Sequence, residues 1–127
     1  MRTGAVLAVV LLAAVLAGCV AADRAIADLS VTCIGAAEEL RILTEDAAWQ
    51  RAGEAQAAYL ARWQKATPWL QMIVHHGEIT DIAMALERLG VGIDQEDASL
   101  CVLSCAELKQ YAELLYRRET LSWGNLL

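Results

Sequence analysis

Hydrophobic residues run uninterrupted at the start of the chain, and beyond it they recur every three or four residues. The uninterrupted run covers residues 5–22 and contains no charge. As a helix it would be about 27 Å long, at about 1.5 Å per residue. That length approaches the hydrocarbon core of a bilayer, about 30 Å, and also suits the core of a signal peptide. We therefore predict that residues 1–22 form a membrane anchor or a lipoprotein signal peptide.

Two stripes of inward positions predict the first two helices of the remaining chain. The first stripe extends the helix begun in the apolar run to about residue 43, and its members are Ile26, Leu29, Cys33, Ala36, Leu40 and Leu43. The second consists of Trp49, Ala52, Gln56, Tyr59, Trp63 and Ala66. The spacing of the two tryptophans is helical, and no basic or Gly-rich loop accompanies them. We therefore predict that both lie in a bundle core rather than in an aromatic ligand cage.

Two further stripes predict a third and a fourth helix. The third consists of Met72, His75, Ile79, Ile82, Leu86, Leu89 and Ile93. The fourth consists of Cys101, Cys105, Leu108, Ala112 and Leu115, in a helix expected to end near Arg118. We predict an all-α fold, in which the anchor is followed by an antiparallel bundle of three or four helices in residues 23–127. The first stripe suits pairing within one chain or between two, so it leaves the oligomeric state open.

Polar residues and the single proline predict where these helices begin. Thr44 or Asp46 is expected to cap the second helix, since its side chain can accept a hydrogen bond from a free backbone N–H. Thr67 and Pro68 predict the start of the third helix, because proline in a first turn loses no intrahelical hydrogen bond. Asp97 is expected to cap the fourth.

Charge and cysteine content limit the possible partners. The net charge is −6 and no Lys/Arg cluster is present, so nucleic acid is not an expected partner. The cysteines do not form the disulfide framework of a small secreted protein. Cys33, Cys101 and Cys105 fall on inward stripes and are predicted to be small core residues.

The apolar run carries a second signal, Leu16-Ala17-Gly18-Cys19, which is similar to a bacterial lipobox. Cys19 is therefore a candidate for lipidation, and the alternative is a plain transmembrane helix. Arg2 is the only charged side chain before the run, so the N-terminus is expected to stay in the cytoplasm. Both anchor types predict a protein held at the cell membrane with its domain on the extracytoplasmic side.

His75 is the polar member of the third stripe, and Glu78 follows it by one turn. If His75 faces inward, its imidazole needs hydrogen-bond partners, for which Glu78 and Gln56 are candidates. One hypothesis is a buried polar contact that fixes the register of the helices. The other is that His75 and Glu78 bind a metal ion or a small ligand.

Landmarks along the chain resemble a bacterial family of small membrane-anchored proteins, the domain of unknown function 4363. They are Glu45-Asp46…Trp49-x-x-Ala52, Trp63, Pro68, His75-x-x-Glu78-Ile79-x-x-Ile82, Asp97 and Leu121-Ser122-Trp123-x-Asn125-x-Leu127. The resemblance covers residues 23–127 and implies a hydrophobic N-terminal segment followed by a helical domain. It implies no activity, ligand or catalytic residue. The lipobox-like Cys19 departs from the plain transmembrane helix of the family and leaves the anchor type open.

The sequence suits three classes of function to different degrees. The favoured one is a non-catalytic, outward-facing module of the bacterial cell envelope that contacts the membrane and another envelope protein. The sequence lacks a nucleophile elbow, a P-loop, a Gly-rich dinucleotide turn, a zincin motif and paired CxxC motifs. The alternative is a metal or small-ligand binder using His75 and Glu78, with His76, Asp81 and the cysteines as further candidate ligands, although bundle metal sites use two Glu/His pairs. A hydrolase or redox enzyme has the fewest residues to use, so we expect no catalytic residue and no cofactor.

Overall fold

A computed structural model describes the backbone of residues 2–126 and the side chains of residues 2–118. Four α-helices account for almost all of this part of the chain. They are α1 (Arg2–Glu45), α2 (Trp49–Leu70), α3 (His76–Asp94) and α4 (Ala98–Leu126). The described residues contain no β-strand. The predicted all-α fold is confirmed, and α4 continues beyond its predicted end near Arg118.

The helices form one antiparallel bundle. Each helix packs against the next in sequence, and α4 closes the ring by packing against α1. The direction is visible in the contacts between α3 and α4, where Glu78 meets Arg118 while Arg88 meets Glu107. The turns between successive helices are too short to run back along the bundle, so each helix is antiparallel to the one before it.

Two buried clusters form the core, and the predicted stripes of α1 and α4 supply much of both. The larger one combines Trp63 and five alanines with aliphatic side chains such as Leu70 and Ile82, and it includes Ile26, where the buried stripe of α1 begins. The smaller one includes Leu40, Leu43 and Cys101. Of the two predicted stripes, only Leu29 is partly rather than fully buried. The periodicity of these helices therefore identified their inner faces correctly.

The first half of α1 extends beyond the bundle. Its large side chains, from Val6 to Val20, are between 39% and 66% exposed. The buried stripe of the same helix begins only at Ile26. Since the helix has no break between these parts, its apolar half and its bundle half are continuous.

The turn between α1 and α2 differs from the predicted one. Thr44 lies inside α1, where its hydroxyl donates to the carbonyl oxygen of Leu40 at 2.8 Å. The cap of α2 is Ala48, whose side chain makes no capping bond. Ala47 has a φ of 55°, and the Ala48 N–H donates to the Leu43 oxygen at 2.8 Å. This is a Schellman ending, which closes α1 and starts α2 without the predicted Thr44 or Asp46 cap.

The turn between α3 and α4 also begins with a Schellman ending, and here the predicted cap is present. Glu96 has a φ of 52°, and the Asp97 N–H donates to the Gly92 oxygen at 2.8 Å. Asp97 then caps α4, because its Oδ1 accepts from the Leu100 N–H at 3.1 Å. The prediction of Asp97 as an N-cap is confirmed.

Pro68 lies inside α2, and the predicted helix start at Thr67 and Pro68 is therefore wrong. The Thr67 hydroxyl donates back to the Trp63 oxygen at 3.0 Å, as an interior helical threonine does. Helical bonding continues past the proline, since the Gln71 N–H donates to the Thr67 oxygen at 3.0 Å. Leu70 is fully buried, so core packing extends the helix by one turn despite the missing N–H.

Two helical glycines provide a prediction about packing, Gly92 where α3 meets α4 and Gly53 where α2 meets α3. A Cβ at Gly92 would lie 2.9 Å from Cys101 Sγ, whereas a Cβ at Gly53 would lie 3.7 Å from Ile93 Cγ2. We expect Gly92→Ala to lower the free energy of unfolding by about 1–3 kcal/mol through overpacking. We expect Gly53→Ala to raise it by about 0.5–1 kcal/mol, since alanine favours helix interiors. Urea unfolding of the full chain in detergent, followed by circular dichroism, measures both, and a Gly92→Ala variant as stable as the parent would contradict the close approach.

Candidate functional site

His75 is exposed and forms the N-cap of α3, so its predicted inward position is wrong. Its Nδ1 accepts a hydrogen bond from the Gly77 N–H at 3.1 Å. Met72, predicted on the same inner stripe, is 84% exposed, and Val74 is buried instead. The error follows from the position of the helix start: the turn before His76 changes the phase of the stripe, which becomes inward-facing only from Ile79.

Glu78 makes a different contact from His75. Its carboxylate forms an ion pair with Arg118 on α4, at the edge of the bundle. Gln56, the other candidate partner of His75, is buried and bonded elsewhere, since its Nε2 donates to the Leu86 oxygen at 2.8 Å. A buried polar contact therefore does join two helices, but it joins α2 to α3 through Gln56.

The described side chains do not assemble a metal centre around the candidate residues. No group of three or more His, Cys, Asp or Glu side chains that could hold an ion occurs among them. His76 and Asp81 are exposed. His75 and Glu78 are therefore placed as a helix cap and an ion-pair partner.

The three bundle cysteines lie in the core, as predicted from their stripes. Cys33, Cys101 and Cys105 are free thiols and are at most 6% exposed. Burial raises the pKa of Cys33 and of Cys105 to about 12, and it also raises the pKa of Cys101. These raised pKa values disfavour the thiolate at neutral pH, and the thiolate is the form that metal binding and nucleophilic chemistry need. Cys19, the candidate for lipidation, is exposed on α1.

The cap made by His75 leads to a small, specific prediction. Replacing His75 with alanine should lower the free energy of unfolding by about 0.5–1 kcal/mol, because the Gly77 N–H loses its acceptor. Asparagine at the same position should retain the stability, since it is a strong N-cap residue. His76→Ala is the matched control, and chemical denaturation compares all three. A loss for asparagine equal to that for alanine would contradict the capping role.

Trp49 and Trp63, the two tryptophans of the second stripe, differ in their surroundings. Trp63 is 1% exposed, and its Nε1–H donates to the Ile79 oxygen at 3.3 Å, so its predicted burial is confirmed. Trp49 was also predicted to be buried in the core, but it is only partly buried. As the first residue of α2, Trp49 lies at the end of the bundle, where it packs against the smaller core cluster.

A groove beside Trp49 lies between α2 and α3. Its lining is Trp49, Gln50, Gly53, Glu54, Gln56, Ala57, Gly90, Ile93 and Asp94. Gly53 and Gly90 add no side chains to this lining, and a Cβ at Gly90 would lie 2.8 Å from Gln56 Nε2. Glu54 and Asp94 are exposed, which gives its rim a negative charge. We refer to these nine residues as the Trp49 groove.

Sequence reasoning did not identify the Trp49 groove. Gly53 follows Trp49 by one helical turn, so the sequence alone indicates that the two residues share one face of the helix. Gly90, however, comes from another helix, and its position opposite α2 depends on the register set by Gln56 and Leu86. An open aromatic groove with an acidic rim suits a partner that carries apolar and basic side chains.

The apolar half of α1 is a second surface, because the bundle leaves its large side chains exposed. Within the part of the chain that the structure describes, α1 is the one helix long and apolar enough to cross a membrane, and its most apolar window is not buried. A membrane anchor and a signal sequence share these properties.

Comparison with protein families matches residues 23–126 to the family described as a domain of unknown function, DUF4363. The chain matches no curated protein and no solved structure. The matched residues coincide with the bundle and stop short of the apolar run.

Proposed function

The chain belongs to the family of domain of unknown function 4363, and we propose that it is a non-catalytic helical module held at the cell membrane by its N-terminus. One observation carries the proposal: α1 is a single helix, with an unpacked apolar half and a half that forms one wall of the bundle. A continuous helix transmits the position of the anchor directly to the domain.

The need to remove the apolar half of α1 from water supports the membrane assignment. Each fully buried valine or leucine gains about 1.5–3 kcal/mol relative to an exposed one. The bundle leaves the large side chains of this half exposed. A bilayer buries them without further protein contacts, and a helix satisfies its own backbone hydrogen bonds there.

The charge distribution supports an extracytoplasmic domain. Arg2 is the only charged side chain before the apolar run, and every acidic side chain follows the run. A short N-terminus with a positive charge stays in the cytoplasm, which directs the bundle outwards, into the cell envelope. Lipidation of Cys19 would put the bundle on the same side. Palmitate labelling that is lost in Cys19→Ala would assign the lipoprotein anchor.

The proposed role outside the membrane is binding of another envelope protein, and the Trp49 groove is the proposed contact. Trp49 follows the turn at the C-terminal end of α1, so the groove lies at the end of the bundle opposite the apolar run. Partly buried tryptophans are common centres of protein interfaces. The acidic rim formed by Glu54 and Asp94 complements a basic partner.

Site-specific photo-crosslinking in living cells tests this role. A photoreactive amino acid at Gln50, which lines the groove, should give a discrete adduct of higher mass at native expression levels. The same amino acid at Gln110, an exposed glutamine on α4, is the matched control and should give no such adduct. Trp49→Ala should reduce the Gln50 adduct. Equal crosslinking from both positions, or none from Gln50, would contradict the proposed contact.

A further inference from the structure

The turn between α2 and α3, residues 71–75, exposes two large apolar side chains next to each other. Met72 is 84% exposed and Ile73 is 51% exposed. The adjacent Val74 is buried and holds the turn against the bundle. Gln71 and Val74 each donate a backbone hydrogen bond to an oxygen of α2, so the turn has a defined shape. Its apolar tip is therefore presented at a fixed place on the surface.

That place lies beside the apolar half of α1. Ile73 lines a shared cleft with Val15, Gly18, Cys19, Ala22, Asp23 and Ile26. The turn therefore lies at the level of the last turns of the apolar run. Asp23, which also lines the cleft, and Arg24 begin the charged part of α1 at this level. The exposed apolar surface of the turn is continuous with the surface that a membrane would cover.

This position determines the depth of the turn relative to lipid. If residues 5–22 cross the hydrocarbon core, Val15 lies about 10 Å from the outer end of the run, at 1.5 Å per residue. Ile73 shares its cleft with residues from Val15 to Ile26, on both sides of the end of the run, and therefore lies near the boundary between hydrocarbon and headgroups. If Cys19 is lipidated instead, its acyl chains begin beside Ile73. Both anchor types bring lipid to the same side chains.

We propose that the turn between α2 and α3 is a second membrane contact, which inserts Met72 and Ile73 into the outer leaflet of the bilayer. The inference rests on the membrane anchor proposed above. Trp69 is partly buried just before the turn, and tryptophan is enriched at membrane interfaces. The turn contains no acidic or basic residue up to His75, so insertion of its tip desolvates no full charge.

A second contact has a mechanical consequence. One helix alone lets a domain tilt about the point where it leaves the membrane, whereas two contacts restrict that tilt. The buried stripe of α1 from Ile26 to Leu43 is about 26 Å long, at 1.5 Å per residue. The bundle then stands on its α2–α3 turn and presents the Trp49 groove at that distance from the headgroups.

Depth-dependent quenching of a fluorescent probe tests the contact. The full-length chain with Cys19→Ala is labelled with an environment-sensitive maleimide at Met72→Cys and reconstituted into phosphatidylcholine vesicles with brominated acyl chains. Leu11→Cys reports on the apolar run. Val91→Cys, 49% exposed at the other end of the bundle, is the matched control. The native bundle cysteines are buried with raised pKa values and react slowly with maleimide.

We expect about a twofold loss of fluorescence at positions 11 and 72 and none at position 91. Quenching at position 11 with none at position 72 would overturn the second contact and leave the anchor intact. Absence of quenching at both would overturn the anchor and, with it, the contact. Equal quenching at positions 72 and 91 would also overturn the proposal, since the bundle would then lie flat on the membrane.

Discussion

Replacing Trp63 with alanine should lower the free energy of unfolding by about 3–5 kcal/mol, a large share of the 5–15 kcal/mol typical of a domain. The ring is 1% exposed, and its Nε1–H is bonded to the Ile79 oxygen. The larger core cluster, which contains the ring, includes several small residues, among them Ala36, Ala37 and Ala66. Since none of these can expand into the space left by an indole, the substitution leaves a cavity and also removes the polar contact to α3.

Trp49→Ala is the matched control, because it truncates the same residue type in the same helix. Trp49 is only partly buried at the start of α2, so we expect a loss of about 1–2 kcal/mol. Urea unfolding of the full chain in detergent, followed by far-ultraviolet circular dichroism, compares the two. An equal or larger loss for Trp49 would contradict the assignment of Trp63 to the centre of the core.

The second large effect concerns the apolar half of α1. The double substitution Leu11→Asp and Val15→Asp should abolish recovery of the protein in the membrane fraction. Each aspartate near the centre of a membrane helix costs about 2.5–3.5 kcal/mol. The same charges in the core of a signal peptide would block its insertion, so both anchor types predict the loss. The bundle contains neither residue, and its stability should not change.

Ile42→Asp is the control for this effect. Ile42 lies on the same helix and is 51% exposed, but it belongs to the bundle half. This variant should remain with the membranes after extraction with alkaline carbonate, while the double variant appears in the soluble fraction or is degraded. Retention of the double variant in carbonate-washed membranes would contradict the anchor.

The helices that could be predicted from sequence are those with strong local signals. The stripe of α1 from Ile26 to Leu43 and the cap at Asp97 depend on side chains within a few turns of each other, and both were confirmed. The predicted start of the third helix at Pro68 is wrong, because burial of Leu70 continues α2 through the proline, a residue that more often starts a helix. His75 was then assigned to the wrong face, since one displaced helix start rotates every position after it.

The candidate site was less predictable than the fold. The apolar half of α1 was identified from its composition alone. The lining of the Trp49 groove comes from two helices, α2 and α3, which bring Gly53 and Gly90 to the same groove only in one register. In that register the Gln56 side chain donates to the backbone oxygen of Leu86. A pattern of side chains does not reveal a backbone partner.

Thiol labelling of spheroplasts tests the central claim, an anchored bundle outside the cytoplasm, most directly. In the Cys19→Ala background, Val91→Cys places an accessible thiol on the bundle, and Thr3→Cys places one before the apolar run. A membrane-impermeant maleimide should label Val91→Cys in intact spheroplasts and Thr3→Cys only after permeabilisation. Labelling of Val91→Cys only after permeabilisation would contradict the outward-facing bundle.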